Sequence, residues 1–288
     1  MARLISIVYD RIRWDEKALI EEMKSRDIEA NLIDAKLLVL NTPQHGKTVV
    51  DEFGDIVLQR CISHFRGLYI TAMLENFGVK VVNSFDVSEK CGNKLLTTLC
   101  LAKAGVPIPK TKVAFSPDGA FKAIEAMGYP AVLKPIIGSW GRLVAAIRSK
   151  EMAQTILEMR SYMNGPMNQI FYVQEMVKRP PRDIRCIVAG EEIIAAVYRY
   201  APPNEWRTNV ALGGKTVACP ITPELREIVL KATKAVGGGV LGVDLMEAPE
   251  GLVVNELNPT VEFKGAAAAT DANIPKAIID YVLSLIKR

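Results

Sequence analysis

The chain has 288 residues, 49% hydrophobic and 24% charged, with 36 Lys and Arg against 32 Asp and Glu for a formal net charge of +4. This is the profile of a folded globular protein, and its two signs are interspersed, so nucleic acid is not an expected partner, although the mild positive surplus suits anionic small molecules or an acidic protein. Five cysteines without a CxxC pair argue against a disulfide framework or structural zinc site; Met1 to Val8 is too short for a signal peptide, and no run reaches the ~20 apolar residues of a membrane span, so a cytoplasmic location is expected.

At this length several lobes are expected, since single domains run to roughly 100–200 residues. Residues 1–90 alternate strands and helices: Leu4 to Val8, Asp15 to Arg26, Ala30 to Ile33, Ile56 to Leu58, Phe65 to Phe77, Val79 to Val82. That order predicts a parallel, Rossmann-like sheet, with Asp15 as N-cap of the first helix and Ala18, Leu19 and Met23 as its apolar stripe. Tyr9, Asp10 and Arg11 stand where a GxGxxG fingerprint would follow the first strand, so no dinucleotide site is expected there. One helix is predicted over Val87 to Ala104, ended by Gly105 and by Pro107 and Pro109.

A central lobe over 91–177 follows, with strands at Thr111 to Phe115, Ala131 to Pro135, Leu143 to Ile147 and Phe171 to Val177, and helices at Gly119 to Met127 and Lys150 to Met163. Such a small sheet with two helices suits a lid. Residues 178–288 predict a mostly antiparallel sheet (Ile184 to Val188, Ile193 to Tyr200, Thr216 to Ala218, Gly242 to Glu247, Gly251 to Leu257) flanked by helices at Pro223 to Val236 and Ile274 to Ile286. The fold class is α/β with α+β lobes.

Three stretches can carry chemistry. Gly242 to Glu247 and Gly251 to Leu257 form a hairpin in which a period of two puts Glu256 and Asn258 on one face and lets Asp244 converge on them. Oxygen donors gathered in apolar strands call for a hard cation such as Mg2+, the alternative being polar strand ends facing water. Ala131 to Pro135 delivers Lys134 and leads into Gly138, Ser139, Trp140, Gly141 and Arg142, a glycine loop able to aim amides at phosphate, or an ordinary hairpin loop. Phe171 to Val177, containing Gln174, Glu175 and Met176, can form a slot for an adenine ring or a plain core strand.

Walker A is excluded, because Gly46-Lys47-Thr48 and Gly214-Lys215-Thr216 have Asn41 and Asn209 where a glycine is required. Asp183-Ile184-Arg185 and Arg199 place arginines on strands, where they can hold a carboxylate or phosphate or pair at the surface. Trp206 to Gly214 is polar, then Gly-rich, and reads as a loop over the site. His45 and His64 form neither a metal site nor a triad.

In order, Lys94, Lys134 with its glycine loop, Gln174 to Val177, Asp183 to Arg185, Arg199, Asn209, Asp244 and Glu256 to Asn258 resemble the ATP-grasp superfamily along nearly its whole length. The branch they resemble contains the ribosomal-protein glutamate ligases and the amino-acid ligases acting on the carrier protein LysW. The resemblance implies ATP gripped between two lobes, with Lys94, Lys134 and Asn209 at the phosphates, Gly138 to Arg142 closing over them, and Gln174, Glu175, Met176, Val177, Asp183 and Arg185 around the nucleotide.

It also implies two Mg2+ ions on Asp244, Glu256 and Asn258, with Arg199 orienting a carboxylate or its acyl phosphate. Val210, Ala211, Glu262, Phe263, Lys264, Gly265 and Ala266 would lie at the substrate. Gly265-Ala266 is similar to the arginine-pathway members and so points to glutamate rather than α-aminoadipate. The expected activity joins glutamate to LysW through an acyl phosphate, in a homotetramer. A lysine-pathway ligase, a ribosomal-protein glutamate ligase and a non-catalytic ATP-binding module are the alternatives.

Overall fold

The computed structural model describes residues 4–41, 52–203, 205–208 and 214–286. The first lobe is a parallel sheet of β1 (Leu4–Tyr9), β2 (Glu29–Asp34), β3 (Ile56–Gln59) and β4 (Val81–Val82), in spatial order β2-β1-β3-β4. It is flanked by α1 (Trp14–Lys24) and α2 (His64–Asn76). The Asp10 carboxylate accepts from Ile62 N and Ser63 N, both at 3.0 Å, and from Arg66 at 2.9 Å, so an anion already occupies the start of α2.

Two local expectations change. The N-cap of α1 is Arg13, whose N–H donates to Glu16 at 2.9 Å, and Asp15 sits inside the first turn. The helix expected over 87–104 is two helices, α3 (Phe85–Gly92) and α4 (Lys94–Lys103). They part at Asn93, which leaves the helical region and caps α4 by accepting from Leu95 N and Leu96 N.

The central lobe is an antiparallel sheet of β5 (Thr111–Ala114), β6 (Ala131–Lys134), β7 (Ala145–Ile147) and β8 (Phe171–Glu175), ordered β5-β8-β6-β7. Helices α5 (Pro117–Met127) and α6 (Lys150–Ser161) pack on it. The last lobe is an antiparallel sheet of β9 (Arg182–Ala189), β10 (Glu192–Tyr200), β11 (Lys215–Ala218), β12 (Val240–Ala248) and β13 (Gly251–Asn258), ordered β11-β10-β9-β12-β13. It carries α7 (Pro223–Val236), α8 (Lys264–Ala269) and α9 (Ile274–Ile286).

The cores divide differently from the sheets. One cluster joins Ile5, Ile7 and Leu19 of the first lobe to Ile187, Val197 and Ile278 of the last. Val87, Cys91, Leu101 and Val106 pack into the second core of the last lobe, so the apolar faces of α3 and α4 belong with that sheet. The central lobe keeps its own cluster, built from Ile124, Leu133, Leu157, Phe171 and their neighbours. Cys61, Cys91, Cys186 and Cys219 are buried free thiols. Among the described residues no helix is long and apolar enough to cross a membrane.

Candidate active site

A cavity of about 390 Å³ lies between the central lobe and the last lobe. Val132, Gln174 to Val177 and Met246 line it, as do Lys134, Gly138 to Arg142, Asp183, Arg199, Asp244 and Glu256. Lys134 is buried at the end of β6, donating to Gln174 Oε1 at 2.6 Å and Asn255 Oδ1 at 2.8 Å. Burial pushes its ammonium down to about 8, with Glu256 pulling the other way. Lys94 opens α4, where its N–H donates to Ile136 O at 2.7 Å and its Nζ to Gly138 O at 2.8 Å.

The helix break at Asn93 is what aims Lys94 at the glycine loop. That loop bends through positive φ at Trp140 (58°), Gly141 (67°) and Leu143 (58°), a conformation costing the two non-glycine residues about 1 kcal/mol or more each. Two contacts hold the bend: Arg142 lies 4.9 Å from the Trp140 ring centre, and Arg207 Nη1 donates to Gly141 O at 2.9 Å. Arg207 is braced in turn by Glu205, whose carboxyl the guanidinium holds at about 2.

The carboxylates beside the slot have partners of their own. Glu175 accepts from Lys110 N at 2.7 Å, and Asp183 accepts from Arg199 at 2.8 and 2.7 Å and from Thr208 at 2.5 Å. Asp183 thus fixes the plane of Arg199 instead of being left to a nucleotide. Arg185, expected with the nucleotide, lines the neighbouring cavity and does not line this one.

The hairpin register sets Asp244 opposite Glu256, with a bulge between Asp244 and Leu245. Asn258 donates through its amide nitrogen to Asp244 Oδ2 at 3.4 Å, which brings these two side chains together beside the Asp244–Glu256 pair of the ladder. The positive charge answering Asp244 is nevertheless arginine: Arg185 binds it through two nitrogens and Arg199 Nη2 lies 3.1 Å away. Burial would raise the Asp244 carboxyl, but the guanidiniums of Arg185 and Arg199 overcome it and hold the group below the usual carboxylate range. The half-buried Glu256 lies 3.4 Å from Lys94 Nζ, and its charge also acts on Lys134 and Arg199. The Glu256 side-chain oxygens and the Asn258 amide oxygen are donors of the kind that fit a hard cation, with Asp244 shared between it and the arginines.

A second cavity, of about 790 Å³, opens between the first and last lobes. Arg13, Asp15, Arg185, Glu262, Lys264, Gly265 and Ala266 line it, as do His64 at the start of α2 and Cys91 and Gly92 at the end of α3. Phe263, expected at the substrate, is instead wholly buried in the shared core, its ring centre 5.9 Å from that of Trp14. The segment around it hangs on α1: Asp15 Oδ1 accepts from Phe263 N at 2.6 Å and Lys264 N at 3.1 Å, and Arg13 Nη1 donates to Glu262 at 2.5 Å. The wholly buried Glu16 sits beneath, ion-paired with Arg13 at 2.8 Å and Arg60 at 2.9 Å.

Lys94, Gly138, Ser139, Trp140, Arg199 and Glu256 line both cavities. The two spaces therefore meet at a lysine, a buried arginine, a carboxylate and a glycine loop, which suits transfer of an anionic group from one space to the other. Asn209, Val210 and Ala211 lie outside the described residues, as do His45 and Gly46-Lys47-Thr48. The sequence reading missed Arg13, Asp15, Asn255, Arg207 and the cavity-facing His64. Asn255 adjoins Glu256 and Arg207 lies in the predicted loop, so both were within reach; the α1 residues had no local signal.

The RimK-like ATP-grasp domain matches residues 91–282, and the LysX preATP-grasp domain matches residues 5–90. The glutamate–LysW ligase ArgX of Sulfurisphaera tokodaii is 38% identical over 279 residues, 96% of this chain and 97% of that protein. The α-aminoadipate–LysW ligase LysX of Saccharolobus solfataricus is 36% identical over 277 residues, 96% of this chain and 99% of that protein. A RimK domain ATP-grasp protein from Sphaerobacter thermophilus shares the fold, with a TM-score of 0.77 at 24% identity over 97% of this chain and 99% of that one.

Proposed function

The chain belongs to the RimK-like ATP-grasp family and is an ATP-dependent ligase, and from that premise we propose that it joins the α-amino group of glutamate to the side-chain carboxylate of the carboxyl-terminal glutamate of LysW. The observation that carries this reading is the set of residues common to the two cavities. ATP occupies the smaller space, with Lys94 and Lys134 at its phosphates and the backbone of Glu175 to Val177 against adenine. The carrier carboxylate meets the γ-phosphate at Arg199, whose guanidinium is already planed by Asp183. Glu256 and Asn258, with Asp244, would hold Mg2+, which supplies charge neutralisation at the phosphates. The amino acid enters through the larger space, and closure of the glycine loop keeps water from the acyl phosphate.

The choice of glutamate over α-aminoadipate rests on the similarity of Gly265-Ala266 to the arginine-pathway members. A Cβ at Gly265 would lie 3.3 Å from Thr216 Cγ2, whose hydroxyl donates to Gly265 O at 3.2 Å, so a larger residue there would disturb the wall where the segment meets β11. The relatives at 38% and 36% identity do not separate the two amino acids by themselves. The test is ADP release with LysW, ATP and Mg2+, comparing glutamate, α-aminoadipate and no amino acid. Glutamate-dependent release with one glutamyl mass added to LysW is the expected result. Preference for α-aminoadipate would move the enzyme to the lysine pathway, and silence with both would leave a nucleotide-binding module.

A further inference from the structure

Amide formation from a free amino acid begins with a proton problem. The attacking group enters as an ammonium without a lone pair, and a group in the larger cavity must relieve it of a proton. Most candidates on that wall are committed. Asp15 is held by two backbone amides, Glu262 by Arg13 at 2.5 Å, and Glu256 lies 3.4 Å from Lys94. The buried thiols are poor acceptors, Cys61 being pushed up to about 12 and Cys91 also upward.

His64 is different. It is the first residue of α2, it lines the cavity, and among the described residues its ring makes contact with Phe65 but accepts and donates no hydrogen bond. Space has been left for it: a Cβ on Gly92 would overlap its Cε1 and Nδ1, although Gly92 ends α3 with no positive φ to demand glycine. Gly92 is two residues before Lys94, whose ammonium stands at the junction of the two cavities.

We propose that His64 is the proton acceptor for the attacking amine, an assignment that rests on the ligase reading above. The ammonium gives one proton to the imidazole, the freed lone pair forms the C–N bond at the acyl carbon, and the C–O bond to phosphorus breaks with its electron pair on phosphate. Of the two protons the nitrogen loses, one remains on His64 until solvent removes it and the other leaves with phosphate as its monohydrogen form. The ring is suited to this because burial lowers its pKa below 6.5 and keeps it a free base at neutral pH. Among charged groups Glu89 acts on it, and against burial.

The test uses hydroxylamine, which is already an uncharged amine at neutral pH and needs no proton acceptor. Wild type, His64→Asn and His64→Gln are given LysW, ATP and Mg2+ with either glutamate or hydroxylamine, reading glutamyl-LysW by mass and the hydroxamate by colour. Both variants are expected to lose about 100-fold or more in glutamyl transfer while hydroxamate formation stays within about threefold of wild type. Glutamyl transfer at the wild-type rate, or an equal fall in both products, would overturn the assignment. Failure of the wild type to form either product would instead overturn the ligase reading beneath it.

Discussion

The central lobe and the body differ in how they are joined. The first and last lobes share an apolar core in which Ile5, Ile7 and Leu19 pack with Ile187, Val197 and Ile278. The central lobe has its own core and meets the rest through polar contacts: Lys94 to Ile136 and Gly138, Lys134 to Asn255, Arg207 to Gly141, and Thr98 to the Tyr172 hydroxyl at 2.7 Å. Polar contacts exchange with water at little net cost, whereas an apolar core resists opening. The walls that the first and last lobes give the larger cavity are therefore the firmer ones, while the smaller cavity and the Gly138 to Trp140 edge of the larger one depend on how the central lobe sits.

The hardest blow to this arrangement falls where the two regions meet. Glu256→Gln removes a charge common to both cavities, and ADP release should fall by about a thousandfold, roughly 4 kcal/mol of transition-state stabilisation, in an ADP-coupled assay. Unchanged turnover would remove Glu256 from the cation site. Next come the cores. Leu133→Ala in the central lobe and Ile7→Ala in the shared core should each cost about 3 kcal/mol. Hydrogen exchange should then show protection lost over 111–175 alone for the first and across first and last lobes together for the second. Loss spread over the whole chain in both would mean that the central lobe is not separable.

A milder probe is pH. Lys134 is cationic below about 8, so KM for ATP should rise about tenfold between pH 7 and 9, and Lys134→Arg should flatten the rise. Unfolding is not the cause, because the unfolded chain keeps this proton up to about 10.5 while the folded one has released it, so this group favours folding more as pH rises through that window. Smallest is Asp15→Ala, which frees the Phe263 and Lys264 amides and should raise KM for glutamate about fivefold with KM for ATP unmoved. Asp15→Asn, still able to accept, should restore it; equal shifts in both KM values would make Asp15 a general stabiliser.

What could be read in the sequence followed from how local its cause is. Helix α7 begins and ends where expected because Thr222 accepts from Leu225 N, Pro223 follows, and Gly237 closes it in the left-handed region. The hairpin of β12 and β13 was legible from its turn and alternation, but the pairing of Asp244 with Arg185 joins positions 59 residues apart and no spacing announces it. Asp15 was read as a helix cap for its own neighbourhood, and it does cap a chain start, one 248 residues away. Phe263 was assigned to the substrate by its place in a motif, whereas its ring fills the shared core. The break at Asn93 had a local signal, since Gly92 and Asn93 are poor helix formers and Asn is a favoured N-cap, but the apolar spacing on either side outweighs it when the stretch is read as one helix.

The shared core has a consequence for how such an enzyme can diverge. Gly265 and Thr216 lie on the wall of the larger cavity away from the central lobe, so substitutions there would alter that wall while leaving the central-lobe residues of the smaller cavity in place. On the proposed reading, a change of amino acid made there would leave the nucleotide side of the site as it is.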